Sequence, residues 1–172
     1  MSEVKAADSS RTARTGARGA RATSCSTLGY VHELIGKLMQ YEQTAGKYAP
    51  GSAPGRFRML TGSERQFYRA ELVADYIRLA VAELGGTPEY FASALGAFCA
   101  KICEMEAPSL ELMGTYLAAA DVVSKEDRLK SIPDLEAALR RTIIRVLRSC
   151  VALMRERTSA LQAVPSSRPA PR

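Results

Sequence analysis

Two prolines divide the middle of the chain into a pair of short predicted helices. Pro88 follows Thr87, which can cap a helix, and the apolar residues beyond it recur every three or four positions. Pro108 ends this first helix, because the residue before a proline avoids the α-helical conformation. The predicted buried residues of the second helix are Leu112, Met113, Tyr116, Leu117 and Ala120. Ser109 can cap that second helix, so 87–123 predicts two helices joined at a tight corner.

The same spacing of apolar residues predicts three further helices, over about 27–48, 64–84 and 133–161. Ser63 and Gln66 have the spacing of a capping box at the start of the second of these, and Gly85 with Gly86 ends it. Pro133 fits the first turn of the last helix. No stretch alternates with the period of two that a half-buried strand requires. The predicted fold is therefore all-α, with about five helices in a single bundle.

Each of the three outer helices has one apolar face that we expect to be buried in that bundle. The first helix buries Tyr30, Val31, Leu34, Ile35, Leu38 and Met39. The second helix buries Phe67, Ala70, Val73, Ile77, Val81 and Leu84. The last helix buries Leu139, Ile143, Val146, Leu147, Cys150 and Met154.

The formal net charge of +6 is concentrated at the two ends of the chain. Residues 1–28 carry five basic and two acidic side chains, and 164–172 carry two arginines, so the remainder is nearly neutral. The first of these segments lacks large apolar residues that could offset the entropy of ordering. We therefore predict a disordered basic tail over 1–27, a helical bundle domain over 28–163 and a second disordered tail over 164–172.

The titratable and metal-binding residues give little support for catalysis. His32 is the only histidine, and nothing in the sequence places Cys25 or Cys99 beside it. Cys99 and Cys103 share a helical face, but no CxxC spacing completes a metal site with Cys150. We interpret these cysteines as reduced, buried thiols of a cytoplasmic protein, and no apolar run is long enough to span a bilayer. The expectation is a non-enzyme without a cofactor, a metal or a membrane partner.

The last predicted helix carries a row of basic side chains opposite its apolar face. The row consists of Arg141, Arg145, Arg148 and Arg155, at spacings of four, three and seven residues. Such a strip can bind phosphates or the acidic surface of a partner protein. It is also what the solvated side of an amphipathic helix looks like, so both interpretations stay open. These four arginines are the candidate partner-binding residues.

The segment 67–123 resembles a helical module shared by RsbU-type stress-response phosphatases and the clock protein KaiA. The resemblance consists of Phe67-Tyr68-Arg69 at the start of one helix and Ser109-Leu110-Glu111-Leu112, then Tyr116 and Ala120, after the corner. The histidine that is frequent in the last helix of that family has no counterpart here, where Thr115 and Tyr116 stand. The resemblance implies an all-helical dimerising module that binds a regulatory protein such as a partner-switching kinase.

Two main functional hypotheses follow from the sequence. In the first, the bundle is a regulatory interaction module that forms a homodimer through an apolar helix face and docks a partner protein. In the alternative, it is a structural subunit whose basic tails bind nucleic acid or a larger assembly. A third possibility is a small-molecule sensor with a pocket between helices. The near-neutral charge of the predicted bundle favours the first hypothesis.

Overall fold

The computed structural model describes residues 29–44, 59–105 and 108–163, and every regular element in these ranges is a helix. Residues 29–44 form α1, which is followed by α2 (Gly62–Gly85), α3 (Pro88–Cys103), α4 (Pro108–Lys125), α5 (Asp127–Lys130) and α6 (Leu135–Ala163). The predicted all-α fold is thereby confirmed. The five predicted helices are present, and the single turn of α5 is a sixth within the described ranges. The predicted disordered tails, 1–27 and 164–172, lie outside the described residues.

The core of the unit that begins at Leu34 is built from apolar side chains of α1 to α4 and α6. The predicted apolar face of α6 is confirmed, because its six residues are all buried: Leu139, Ile143, Val146, Leu147, Cys150 and Met154. In α1, Leu38 is buried as predicted, whereas Met39 is exposed. The buried stripe of α1 is therefore narrower than the sequence indicates. Residues 29–33 open α1 in the preceding unit and leave His32 exposed.

Tyr76 lies at the centre of the contacts between four helices. Its ring centroid is 5.8 Å from that of Phe98 in α3 and 6.4 Å from that of Tyr116 in α4. Its hydroxyl donates a 2.8 Å hydrogen bond to the backbone carbonyl of Leu139 in α6. Burial raises the pKa of Tyr76 above its ordinary value, so the hydroxyl stays neutral. Because a buried hydroxyl needs a partner of this kind, Tyr76 fixes the rotation of α2 about its own axis.

That rotation makes the predicted buried face of α2 wrong. The residues that α2 buries are Leu72, Tyr76, Leu79, Ala80 and Ala82. Of the residues predicted to be buried, Phe67, Ala70, Val81 and Leu84 are exposed, and Val73 and Ile77 are half-buried. The helix has two apolar faces, and polar partners decide between them. The buried face brings Tyr76 to Leu139 and Glu83 to Thr142, whereas the predicted face carries no polar group for these sites.

The N-terminus of α2 is capped two residues before the predicted position. Thr61, and not Ser63, is the N-cap residue, and Glu64 completes the capping box. The backbone N–H of Thr61 donates to Glu64 Oε2 at 2.7 Å, and the backbone N–H of Glu64 donates to Thr61 Oγ1 at 3.3 Å. The hydrogen bond from the Thr61 backbone lowers the pKa of Glu64. These reciprocal bonds satisfy N–H groups that the helix itself leaves without a partner.

We expect Thr61→Ala to lower the free energy of unfolding by about 1 kcal/mol, because it removes the acceptor for the first-turn N–H group. Ser63→Ala is the matched control and should cost less than about 0.5 kcal/mol, since Ser63 is an exposed residue of the first turn. Urea denaturation followed by circular dichroism measures both. A larger loss for Ser63→Ala than for Thr61→Ala would contradict the observed cap.

The corner before α4 uses a partner that is distant in the sequence. Ser109 does not cap the helix as predicted, because α4 already begins at Pro108. The backbone N–H and the hydroxyl of Ser109 instead donate to the two carboxylate oxygens of Glu42 in α1, at 2.8 and 3.0 Å. A carboxylate is favourable at this end of a helix, where the helix dipole is positive. Leu117, which was expected to be buried, is exposed on the outer side of α4.

The last helix begins at Leu135, two residues after the predicted Pro133. Asp134, which lies between Pro133 and Leu135, adopts the left-handed backbone conformation with a φ of 59°. Aspartate is one of the few residues other than glycine that visits this region routinely, so the turn fits its sequence. The chain therefore turns at Asp134 before α6 starts, and the prediction of Pro133 in the first turn is wrong.

Candidate functional site

The four candidate partner-binding arginines are all exposed on α6, but two of them are held by the bundle itself. Arg141 Nε lies 3.2 Å and Arg145 Nη2 lies 3.5 Å from Oε1 of Glu83 in α2. The guanidinium of Arg145 also lies over the Phe91 ring, 5.0 Å from its centroid. Glu83 is almost fully buried, so these contacts compensate for a desolvated carboxylate. Arg141 and Arg145 therefore join α6 to α2 and α3.

Arg148 and Arg155 form no ion pair with any other residue that the structure describes. They are two helical turns apart, which corresponds to about 10 Å along the helix axis. Two separated charges provide much less electrostatic attraction for an extended acidic partner than the four that the sequence suggested. The row of arginines is on the surface, but the charges of Arg141 and Arg145 are already paired with Glu83.

The carboxylate of Glu111, near the corner before α4, also has a structural role. Glu111 is only 2 % exposed and receives two hydrogen bonds from Arg69 of α2, from Nε at 3.1 Å and from Nη2 at 3.0 Å. Such a bidentate pair fixes both carboxylate oxygens. Nearby, burial and the negative charge of Glu111 raise the pKa of Tyr68, whose hydroxyl donates to the Lys101 carbonyl. This arrangement joins α2, α3 and α4.

Three cysteines form a buried group between α3 and α6. Cys99, Cys103 and Cys150 are free thiols, and the Cys99 thiol donates to the Val146 carbonyl at 3.7 Å. Hydrogen bonds with Cys103 and Cys99, together with burial, raise the pKa of Cys150, so its thiol stays protonated. Across the described ranges, no group of three or more histidine, cysteine or acidic residues is arranged to hold a metal ion. The three cysteines therefore act as small apolar side chains that fill the core.

We expect the double substitution Cys99→Ser with Cys103→Ser to leave the metal content of the purified protein unchanged, because no described histidine or acidic side chain completes a metal site with these thiols. Elemental analysis of the unsubstituted and substituted proteins, each purified without added metal, measures this. Stoichiometric zinc in the unsubstituted protein that is lost on substitution would overturn the interpretation.

Within the part of the chain that the structure describes, an apolar row is exposed on the outward side of α2. It consists of Phe67, Ala70, Ala74, Ile77, Val81 and Leu84, and we call it the outer stripe. Phe67 is 71 %, Val81 39 % and Leu84 36 % exposed. Ala70 is exposed as well, and Ala74 and Ile77 are half-buried. All six residues are apolar, so no charge interrupts the row.

The spacing of the outer stripe is that of a coiled-coil seam. Its residues follow one another at intervals of three, four, three, four and three, which are the a and d positions of a heptad repeat. From Phe67 to Leu84 the row extends about 26 Å along the helix. Next to Phe67, the side chains of Leu60, Tyr68 and Met105 line a shallow depression. The outer stripe is thus a continuous apolar strip that ends in a shallow depression.

A smaller apolar area lies on the outward side of α4. Leu110 and Leu117 are both mainly exposed and are seven residues apart, with Gly114 between them. Isolated exposed leucines of this kind are common on soluble proteins. The outer stripe differs because six successive heptad positions are apolar. Five of its six residues were predicted to be buried, with Val73 in place of Ala74, so the heptad spacing was not recognised from the sequence and the row was assigned to the core.

Within the described ranges, no helix combines the length and the apolar character needed to cross a membrane. No family model matches the chain, and no curated protein and no solved structure gives a significant match to it.

Proposed function

We propose that the chain is a non-catalytic, cytoplasmic helical module that binds other polypeptides through the outer stripe. The observation that carries this proposal is the uninterrupted heptad spacing on a helix face opposite the core. A helix needs only one apolar face to join a bundle, and α2 already has Leu72, Tyr76 and Leu79 for that purpose. A second apolar face at coiled-coil spacing is typical of a helix that packs against another helix.

The energetics support binding through this row. Burying a Val, Leu, Ile or Phe side chain fully contributes about 1.5–3 kcal/mol relative to leaving it in water. Phe67 is mostly exposed and could contribute most of this amount, whereas Val81 and Leu84 are already more than half buried and would each contribute a smaller part. No residue of the row would bring an unpaired charge into an interface. Glu71 and Arg78 are exposed charged residues at the border of the row.

The resemblance to the RsbU and KaiA module suggests the kind of partner. Of the three residues at the start of the resembling helix, Arg69 contacts Glu111 and Tyr68 contacts the Lys101 carbonyl. Phe67 is left on the surface as part of the outer stripe. A module of this kind binds a regulatory protein, and a partner-switching kinase is therefore a candidate partner. The helical fold is compatible with that role.

The alternative is a structural subunit that uses its basic tails to bind nucleic acid. Arg148 and Arg155 on the exposed side of α6 favour it, because they would add to the positive charge of 1–28 and 164–172. Binding of this type depends strongly on salt, whereas binding through an apolar stripe depends on it weakly. The two functions are therefore separable by salt and by single substitutions in α2.

The test is capture of partners from nuclease-treated native lysate with the full chain as bait, read by mass spectrometry. Phe67→Glu combined with Val81→Glu disables the outer stripe. Leu110→Glu combined with Leu117→Glu is the matched control, because it places the same two charges on the exposed side of α4. We expect a discrete protein to be captured by the unsubstituted bait and the control, and to be lost with the double substitution. Capture that is unaffected by the double substitution but abolished by added salt would favour the alternative.

A further inference from the structure

When a second outer stripe is placed antiparallel to the first, the side chains of the two stripes are complementary in size and in charge. We propose that the outer stripe binds the outer stripe of a second copy of this chain, with the two α2 helices antiparallel about a twofold axis. This inference rests on the proposed function, because it names the partner of the same surface. A twofold axis suits such a contact, since each copy then contributes an identical patch.

Side-chain size favours the antiparallel arrangement. About a twofold axis between positions 74 and 77, Ala74 of one copy faces Ile77 of the other, and Ala70 faces Val81. Each small residue then meets a large one, which is how facing layers fill space without voids. In a parallel arrangement in register, Ala70 would face Ala70 and Ala74 would face Ala74. Two successive layers would be left underpacked, which is unfavourable.

The charges that border the stripe favour the same arrangement. Glu71 and Arg78 both directly follow d positions, so they lie on the same side of the stripe. The antiparallel axis brings Glu71 of each copy beside Arg78 of the other, which forms two identical opposite-charge pairs. A parallel arrangement would instead place Glu71 beside Gln66 and Arg78 beside Val73, without a charge pair. Electrostatic complementarity of this kind fixes the orientation of a helix pair.

Both side chains are available for these pairs. The side chain of Glu71 is 50 % and that of Arg78 is 76 % exposed. Among the described residues each has an ion pair: Glu71 Oε2 lies 3.4 Å from Lys101 Nζ, and Arg78 Nη1 lies 2.7 Å from Asp75 Oδ1. A guanidinium has five N–H donors and a carboxylate has two acceptor oxygens, so both can add a partner without giving up the first.

Sedimentation velocity of the full chain over a range of concentrations tests the interface. We expect a dimer with a Kd of about micromolar magnitude, since the seam is short. Val81→Glu should weaken the dimer at least about a hundred-fold, because it puts a carboxylate between apolar layers. Ala70→Glu is a second variant at an exposed position, in case the first alters folding. Leu117→Glu, on the exposed side of α4, should leave the dimer unchanged.

A charge-swap cycle tests the orientation. Glu71→Arg alone and Arg78→Glu alone should each raise the Kd about ten-fold, because each creates two like-charge contacts across the axis. The double swap, Glu71→Arg with Arg78→Glu, should restore the Kd to within about three-fold of the unsubstituted chain. Circular dichroism of each variant confirms that the helices are retained.

Each result decides between the claims. A chain that stays monomeric at all concentrations overturns the homodimer, while the proposed function is then judged by whether Phe67→Glu with Val81→Glu abolishes partner capture. A dimer that tolerates Val81→Glu and Ala70→Glu overturns the homodimer through this stripe, and the use of the stripe as a binding surface is again judged by partner capture. A dimer that is lost with Val81→Glu but is not restored by the double swap overturns the antiparallel arrangement.

Discussion

Leu147→Asp is expected to abolish the folded bundle. Leu147 is 0 % exposed and lies on the face of α6 that packs against the other helices. The substitution removes a fully buried apolar side chain and puts a carboxylate in its place, with no polar group provided for it. The combined cost exceeds about 5 kcal/mol, which is as large as the whole stability of many small domains. We expect loss of helical circular dichroism and of the cooperative unfolding transition.

Leu153→Asp is the matched control for this prediction. It makes the same change in the same helix, but Leu153 lies at the boundary between half-buried and exposed. The protein should remain folded and lose no more than about 1 kcal/mol in urea denaturation. If the Leu147→Asp protein were as helical and as stable as the control, the assignment of the buried face of α6 would be wrong.

Arg69→Met should lower the free energy of unfolding by about 3 kcal/mol at neutral pH. The substitution keeps much of the length of the side chain but removes both hydrogen bonds to Glu111. The Glu111 carboxylate is buried, so it would lose its charged partner without gaining access to water. Removing one partner of a buried pair costs about 3–5 kcal/mol, and the partial exposure of Arg69 places the expected value at the lower end.

Arg140→Met controls for the loss of an arginine as such. Arg140 pairs with Glu136 at 3.5 Å, and both side chains are largely exposed. Exposed pairs of this type contribute less than about 1 kcal/mol, so the control should change stability little. Chemical denaturation of the two variants side by side gives the comparison. Equal losses for Arg69→Met and Arg140→Met would show that the Arg69–Glu111 pair does not hold α2 to α4.

The apolar face of a helix was predictable from the sequence only where the helix has a single apolar face. In α6, arginines occupy the side opposite Leu139 and Leu147, so one rotation alone buries the apolar residues. In α2, the face with Leu72 and Tyr76 and the outer stripe are both apolar. Their periodicities are equally helical, and the choice between them depends on partners in α4 and α6. Periodicity within one helix does not contain that information.

The helix ends show the same division between local and distant causes. Thr87 and Pro88 were predicted correctly, because their capping involves residues within one turn. The start of α4 was predicted two residues late, because Ser109 lies inside the helix and donates to Glu42. These two residues are 67 positions apart, and only the packing of α1 against α4 brings them together.

The sequence was sufficient to predict which arginines lie on the surface of α6, but not which of them form ion pairs within the bundle. All four arginines of α6 are on the surface, as the spacing indicated. Glu83 forms ion pairs with Arg141 and Arg145. The sequence does not predict these pairs, because Glu83 is one of several charged residues in a different helix. All residues of the outer stripe except Ala74 were predicted as part of an apolar face, but the exposure of that face is a property of the assembled bundle. A face that is assigned to the core by pattern and exposed by packing is therefore a useful indication of an interface.

The central claim is that the outer stripe becomes buried on assembly. The most direct test is the rate at which a cysteine placed at position 70 reacts with a maleimide. Ala70→Cys provides the probe, Leu117→Cys provides an exposed control on α4, and the unsubstituted chain gives the background of the native thiols. We predict that the rate at position 70 falls at least about ten-fold as protein concentration passes the Kd, while the rate at position 117 stays constant. An unchanged rate at position 70, both in concentrated protein and in the presence of a captured partner, would contradict the assignment of the outer stripe as the binding surface.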